Sequence, residues 1–176
     1  MSIRKLVVKN YKSLRSFSVE FNRDLSVIVG NNEAGKSTIL EAINLALTSQ
    51  LNGRNIIYEL SPFIFNEECV KDYIDDLKAG KKAIPPEILI ELYFDNVDGY
   101  SELLGNNNSL RENAPGVFLQ IKFNDEYVEE YRNYIKKPNE IRTVPVEYYE
   151  VKWYGFHHST ITYRSIPINV SLVDTS

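Results

Sequence analysis

The segment Gly30–Ser37 is the feature that most constrains what this chain of 176 residues can fold into. It reads Gly-Asn-Asn-Glu-Ala-Gly-Lys-Ser, which fits the pattern glycine, four residues, glycine, lysine, then serine or threonine. The two glycines allow backbone angles that a side chain would penalise, so successive amides can converge on one anion. A helix that starts here adds its unsatisfied amides and the positive end of its dipole. The segment therefore predicts a phosphate-binding loop between a strand and a helix.

The flanking residues supply the strand and the helix that such a loop requires. Leu25–Val29 is short, β-branched and nearly all apolar, as expected for a strand that is buried on both faces of a sheet. From Lys36 onward, apolar residues recur at intervals of three and four, which predicts an amphipathic helix through about Thr48. The alternative is an ordinary glycine-bearing turn before a helix, and the matching context on both sides argues against it.

The loop predicts a site for a nucleoside triphosphate with Mg²⁺. We expect Lys36 to reach the β- and γ-phosphates, Ser37 to give its hydroxyl oxygen to Mg²⁺, and Thr38 to approach the α-phosphate. The expected nucleotide ligands are Gly30, Asn31, Asn32, Glu33, Ala34, Gly35, Lys36, Ser37 and Thr38.

Charge is distributed unevenly along the chain. Lys and Arg number 20 and Asp and Glu 24, for a formal net charge of −4. Residues 1–54 hold eight of the basic and four of the acidic residues, so this part carries +4 and the remainder −8. A basic first third suggests that anions are handled near the N-terminus, although an uneven solvated surface is the simpler alternative.

Composition narrows the class of protein. Apolar residues make up 43% of the chain and charged residues 25%, which is typical of soluble globular domains. The sequence holds no apolar run near the ~18 residues of a membrane span, and its first residues lead into no signal-peptide stretch. The single Cys69 excludes an intramolecular disulfide and fits a reducing compartment. We therefore expect a cytoplasmic protein with no membrane partner.

The remaining pattern predicts an α/β layer structure with a largely antiparallel sheet. Predicted strands, from alternating apolar residues, are Ile3–Lys9, Phe17–Phe21, Ile88–Phe94, Val117–Phe123, Val146–Phe156 and Ile161–Ile168. Predicted helices are Glu67–Lys78 and Asp125–Lys136, the second with Asp125 as its N-cap. Gln50–Asn55 is predicted to be a loop. We expect residues 1–55 to form the phosphate-loop core and residues 56–176 to form helices plus an antiparallel sheet.

The opening residues resemble a known group of ATPases. Ile3–Leu14 reads Ile-Arg-Lys-Leu-Val-Val-Lys-Asn-Tyr-Lys-Ser-Leu. This is similar to the N-terminal ATPase lobe of the SMC/RecF group of ABC-type ATPases, in which such a segment precedes the loop strand. The resemblance implies a P-loop NTPase lobe of the ABC-ATPase type, with a mixed sheet around the loop helix and an antiparallel β-subdomain. It also implies ATP and Mg²⁺ as cofactors.

Four further segments resemble the OLD (overcoming lysogenisation defect) family of ATP-dependent endonucleases. They are Leu60–Asn66, Pro86–Phe94, Asn106–Leu110 and Arg164–Ile168. The resemblance covers nearly the whole chain. It implies an ABC-type ATPase domain joined to a C-terminal Toprim nuclease that acts on DNA in phage defence or repair.

The chain departs from that family pattern in one respect. It contains no Leu-Ser-Gly-Gly signature and no run of four apolar residues ending in Asp-Glu as a Walker B motif; Val170–Asp174 is a poor imitation. We therefore expect the N-terminal lobe alone: a fragment, a split gene product or a truncated reading frame. Such a lobe is expected to bind ATP weakly, without hydrolysis, nuclease activity or assigned catalytic residues. It is expected to need self-association or a C-terminal lobe.

Other candidate residues carry weaker signals. Arg54 follows the loop helix, where SMC-type ATPases present basic residues to DNA, and Lys5, Lys12 and Arg15 could extend that edge. Solvated charges are the simpler interpretation. His157-His158 has no neighbouring ligands at metal spacing, which favours a turn. The aromatic residues between Tyr148 and Phe156 could stack on single-stranded nucleic acid, but core packing is favoured.

Two other functions stay open at this point. The chain could be a non-catalytic interaction module for a separately encoded C-terminal lobe. It could also be a DNA-repair ATPase of the RecF kind, which the missing Walker B motif and the flanking segments disfavour.

Overall fold

The computed structural model of the chain describes residues 2–22, 33–95, 101–166 and 168. The helices in these ranges are α1 (Glu33–Thr48), α2 (Glu67–Lys78) and α3 (Val128–Tyr134). The strands are β1 (Ile3–Tyr11), β2 (Leu14–Glu20), β3 (Gln50–Leu51), β4 (Arg54–Asn55), β5 (Ile88–Phe94), β6 (Leu104–Gly105), β7 (Ala114–Phe123) and β8 (Tyr149–Gly155).

Five long strands form one sheet in the order β2, β1, β5, β7, β8, and every described pairing is antiparallel. The short strand β6 pairs with the first two residues of β7. β1 continues to Tyr11, beyond its predicted end, and a two-residue turn at Lys12 and Ser13 leads directly into β2. The predicted α/β class is confirmed. The predicted strand Leu25–Val29, on which a mixed sheet depends, lies outside the described residues.

One face of the sheet packs against α1 and forms the main core. Because side chains alternate along a strand, β1, β5 and β7 each send every second residue to this face. Helix α1 contributes Ala42, Leu45 and Ala46 to this core, and all three are fully buried. The indole of Trp153 in β8 also reaches the helix, where its Nε1 donates a hydrogen bond to the Ala46 carbonyl at 2.7 Å. The aromatic residues Tyr149 and Trp153 therefore serve packing on this face, as predicted.

The opposite face of the sheet carries a polar network. Glu91 is 2% exposed and accepts hydrogen bonds from the Tyr93 hydroxyl and from the amide and hydroxyl of Ser109. A bulge in β1 between Ile3 and Lys5 breaks the alternation there, and the Arg4 guanidinium lies over the Tyr93 ring. These contacts hold the loop after β6 against the sheet.

Helix α2 has the bounds that its apolar pattern predicts. Asn66 caps it by accepting a hydrogen bond from the Cys69 amide at 3.3 Å. Tyr73 and Leu77 pack against Tyr131 of α3 in a second core, in which the two tyrosine hydroxyl oxygens lie 3.0 Å apart. α2 and α3 therefore associate beside the sheet.

The second predicted helix is shorter than expected, and its predicted cap is wrong. Asp125–Tyr127 forms a 3₁₀ turn, and the α-helix runs only from Val128 to Tyr134. The cap is Asn124, whose Oδ1 accepts a hydrogen bond from the Glu126 amide at 3.0 Å. Asparagine and aspartate are equally good N-caps, so the capping preference alone could not distinguish Asn124 from Asp125 as the start of the turn.

The predicted boundaries of three further elements are also corrected. Val146–Tyr148 is a 3₁₀ turn, and β8 begins after it. Ile161–Ile168 is not a strand over its described residues: Tyr163–Ser165 is a 3₁₀ turn whose reciprocal hydrogen bonds with Thr162 compete with strand pairing. Gln50–Asn55 is a small hairpin, because Asn52 and Gly53 adopt the positive φ angles that a tight hairpin turn requires.

Among the described residues, no helix is both long enough and apolar enough to cross a membrane.

Candidate nucleotide site

Helix α1 begins at the segment that the sequence predicts to bind phosphate. It starts at Glu33, so Ala34, Gly35 and Lys36 lie in its first turn. This is earlier than the predicted start at Lys36. Gly30, Asn31 and Asn32 lie outside the described residues. The amide groups of a first helical turn point away from the helix along its axis, so this end of α1 presents them to the predicted anion.

The side chains after Gly35 differ in exposure. Lys36 is half-buried, Ser37 is exposed and Thr38 is buried. Ser37 is therefore accessible to a metal ion at the start of the helix. Thr38 instead points inward, where its Oγ1 accepts a hydrogen bond from the hydroxyl of Ser13 at 3.3 Å. This contact brings the turn between β1 and β2 against the second turn of α1, a proximity that the sequence pattern did not reveal.

The β1–β2 turn has a strained backbone. Lys12 has φ 45°, a left-handed conformation that costs a residue of its kind roughly 1–2 kcal/mol, and Asn10, near the end of β1, has φ 56°, which asparagine tolerates better. Such a conformation persists only where the surroundings hold it. Ile64 and Asn66 do so: the Lys12 amide donates to the Ile64 carbonyl, and the Asn66 amide donates to the Asn10 carbonyl, both at 2.9 Å. The Asn66 side chain also donates to the Lys12 carbonyl at 2.8 Å.

A carboxylate on α1 contacts the side chain of the last residue of β1 and that of the first residue of the turn. The hydroxyl of Tyr11 donates to Oε1 of Glu41, and the ammonium of Lys12 lies 2.5 Å from that oxygen. Tyr11 is fully buried. Burial and then its contact with Glu41 raise the pKa of Tyr11 far above its usual range, so its hydroxyl remains a hydrogen-bond donor.

Comparison with known protein families identifies the family of this chain. Residues 5–164, most of the chain, match a family described as an AAA domain. The chain belongs to the AAA domain family.

Individual relatives of this AAA domain are replication and repair proteins. This chain is 34% identical over 71 residues to the DNA replication and repair protein RecF of Pasteurella multocida. The match covers 38% of this chain and 20% of that protein. The chain is 26% identical over 116 residues to the protein of the same name from Clostridium tetani, over 60% of this chain and 30% of that protein. The match thus spans about a fifth to a third of these relatives' length.

Arg54 lies at the other end of α1 in this AAA domain. It belongs to the β3–β4 hairpin that follows the helix, and α1 is 16 residues long, or about 24 Å. Its guanidinium is exposed and lies 3.0 Å from the carboxylate of Glu59. Its predicted contact with DNA stays a prediction, and Arg54 does not adjoin the N-terminal end of the helix.

The other basic residues proposed for a DNA edge have acidic partners. Lys5 pairs with Glu20 at 3.4 Å, and Arg15 pairs with Glu68 at 3.0 Å. Arg15 also contacts a second carboxylate of α2, Asp72. The Arg15 contacts join the β1–β2 hairpin to α2, and the Lys5 pair links the two strands of that hairpin. All of these pairs reduce the positive charge that the sequence alone suggests.

The histidine pair forms a turn, as predicted. His158 has φ 67°, its ring stacks on Tyr154 with centroids 5.2 Å apart, and its Nδ1 lies 2.7 Å from the Asn107 side-chain nitrogen. Over the part of the chain that the structure describes, no group of three or more histidine, cysteine or acidic residues is arranged to hold a metal.

Proposed function

We propose that this AAA domain binds Mg-ATP at the first turn of α1, as the nucleotide-binding lobe of an ATPase of the RecF/SMC type. The observation that carries the proposal is the start of α1 at Glu33, which places Lys36 and Ser37 at the end of the helix beside the glycine-bearing segment. Membership of the AAA domain family supports the same function.

The residues at this end of α1 fit the proposed ligand. Lys36 supplies a positive charge for the β- and γ-phosphates, and the exposed Ser37 supplies a hydroxyl oxygen for Mg²⁺, which prefers oxygen ligands. Bound Mg²⁺ would neutralise part of the phosphate charge. The described part of Gly30–Thr38 adds amide groups from the helix, and the remaining residues of the segment stay predicted ligands.

The test is a titration of a fluorescent ATP analogue in the presence of Mg²⁺. We expect Lys36→Ala to weaken binding at least tenfold, since a charge-assisted contact with phosphate is worth roughly 1.5–3 kcal/mol. Lys78→Ala, at the exposed end of α2, is the matched control and should bind like the wild type. Equal binding by wild type and Lys36→Ala would refute the proposal.

For the whole protein, we propose that residues 1–176 act as the N-terminal lobe of an ATPase that works on DNA. The names of the RecF relatives support this partner, and Arg54 is the residue proposed to contact DNA. Self-association or a C-terminal lobe would complete the hydrolytic site, so the chain alone is proposed to bind ATP without turnover.

A second candidate is the same lobe of an OLD-family endonuclease in phage defence. Its support is the set of four flanking segments, two of which have clear structural tasks here. Leu60–Asn66 holds the β1–β2 turn, and Asn106–Leu110 carries the Ser109 contacts to Glu91. Co-purification of this chain with the product of a downstream reading frame, followed by a DNA-cleavage assay, separates the candidates. A complex that binds DNA but does not cut it favours the RecF type.

A further inference from the structure

Glu41 joins two structural elements beside the proposed nucleotide site. Its Oε1 receives the Tyr11 hydroxyl and lies 2.5 Å from the Lys12 ammonium, so one carboxylate oxygen on α1 holds two consecutive residues of the first hairpin. The side chains of Lys12 and Glu41 are about one-third exposed, whereas Tyr11 is fully buried. One of the two contacts is therefore sheltered from water and the other faces it.

The position of Glu41 along α1 relates this contact to the ligand. Glu41 lies four residues after Ser37, so the two side chains share one face of the helix, one turn apart. The side chains that contact Glu41, those of Tyr11 and Lys12, therefore lie near the Ser37 hydroxyl that is proposed to bind Mg²⁺. Ser13, which follows Lys12, contacts Thr38, the residue directly after Ser37 in the helix.

The hydrogen bonds that hold the strained backbone of the turn come from one side only. The left-handed backbone of Lys12 and Asn10 is fixed from one side by Ile64 and Asn66. Those bonds tie the turn to the segment before α2 and not to α1. In the described part of the hairpin, Glu41 supplies the charged connection to α1, and the Ser13–Thr38 hydrogen bond supplies a neutral one.

We propose that Glu41 is a positioning residue that holds the β1–β2 turn against α1 near the N-terminal end of the helix and so preorganises one wall of the nucleotide site. This inference rests on the proposed function. If the turn is already held before nucleotide binds, the conformational entropy of ordering it is lost during folding and not during binding. The affinity for nucleotide is then higher, although Glu41 makes no direct contact with it.

The experiment compares three variants by titration with a fluorescent ATP analogue and Mg²⁺. Glu41→Gln removes the charge pairing with Lys12, and Tyr11→Phe removes the buried donor. We expect Glu41→Gln to weaken binding about fivefold, as for a partly exposed charge-assisted contact, and Tyr11→Phe to weaken it in the same direction. Glu68→Gln is the matched control: it removes a carboxylate partner of Arg15 on the same hairpin, but on α2, and should leave affinity unchanged.

A second measurement separates positioning from general stabilisation. Hydrogen exchange should show that nucleotide protects the amides of Ser13 and Leu14 in the wild type and protects them less in Glu41→Gln. Lower thermal stability of Glu41→Gln with unchanged affinity and unchanged protection would overturn the inference. If Lys36→Ala loses binding while Glu41→Gln binds like the wild type, positioning fails and the proposed function stands. A wild-type chain without Lys36-dependent binding overturns both.

Discussion

At the scale of single residues, the most consequential side chains are polar groups that the fold buries. Glu91 is the clearest case, because its carboxylate oxygens accept a bond of 2.7 Å from the Ser109 amide, one of 2.6 Å from the Ser109 hydroxyl and one of 2.9 Å from the Tyr93 hydroxyl. A buried carboxylate is tolerated only where donors replace its lost hydration. Its place in the middle of an apolar strand gives no hint of those donors.

We expect Glu91→Ala to lower the free energy of unfolding by about 3 kcal/mol or more. The change leaves the buried Tyr93 hydroxyl and the Ser109 amide without their acceptor and opens a cavity between them. Urea denaturation measures the loss. Glu87→Ala, just before the same strand and exposed, should stay within about 0.5 kcal/mol of the wild type. A similar loss in both variants would contradict the role assigned to the Ser109 and Tyr93 contacts.

At the scale of elements, one residue before α2 connects three pieces of structure. Asn66 caps α2 through its side-chain oxygen, and its side-chain nitrogen donates to the Lys12 carbonyl at 2.8 Å. Its backbone amide pairs with Asn10. The cap was foreseeable, because asparagine before an apolar periodic run indicates a helix start. The donation to Lys12 was not, because it joins residues 54 positions apart.

Two substitutions at Asn66 separate these tasks. Asn66→Asp keeps the capping oxygen and loses the donor to Lys12, so we expect a cost of about 1 kcal/mol. Asn66→Ala loses both and should cost about 2–3 kcal/mol. Thermal unfolding followed by circular dichroism gives the order of the two. An aspartate variant as unstable as the alanine variant would show that the link to the turn, and not the cap, dominates.

At the scale of the whole molecule, buried tyrosines lie at contacts between the sheet and the elements packed around it. Tyr11, Tyr73 and Tyr149 are all nearly inaccessible, and burial is the largest cause of the raised pKa of each. Tyr149 donates to the Pro86 carbonyl at 2.6 Å, and its ring contacts Phe65 and Phe123. It thereby joins the sheet to the segments that flank α2. Each of these hydroxyls must stay protonated in the folded chain.

The buried tyrosines predict that stability falls at high pH. Their pKa values are raised in the folded state, so the unfolded chain loses these protons first as the pH passes about 10. Stability is therefore fully present below that pH and declines above it, by up to about 1.4 kcal/mol per pH unit for each such tyrosine. Urea denaturation between about pH 9 and 11 measures the slope.

A pair of variants tests the origin of that slope. Tyr149→Phe should make the decline shallower, because one buried group no longer titrates. Tyr58→Phe, which removes an exposed hydroxyl, should leave the slope as in the wild type. The same slope in Tyr149→Phe and in the wild type would assign the alkaline loss to other groups.

Local signals were sufficient for most elements of this AAA domain. The strand Ile88–Phe94 and the helix Glu67–Lys78 have the bounds that composition and periodicity predict, because both carry strong, uninterrupted patterns. Two of the errors, at Asn124 and at Ile161–Ile168, occur where side-chain hydrogen bonds to the nearby backbone outweigh the periodic pattern. Neither set of side-chain hydrogen bonds alters the spacing of apolar residues, so an analysis of periodicity could not detect these bonds.

The sequence by itself determined that a helix begins near Lys36, and it predicted Lys36 as a phosphate ligand and Ser37 as a Mg²⁺ ligand, because these inferences depend on glycine spacing and helical periodicity alone. Only the tertiary structure decided what lies beside them. Tyr11, Lys12 and Ser13 reach Glu41 and Thr38 across the interface between the sheet and α1. The physical reason is that helix packing on the sheet sets this proximity, and packing joins residues without regard to their separation along the chain.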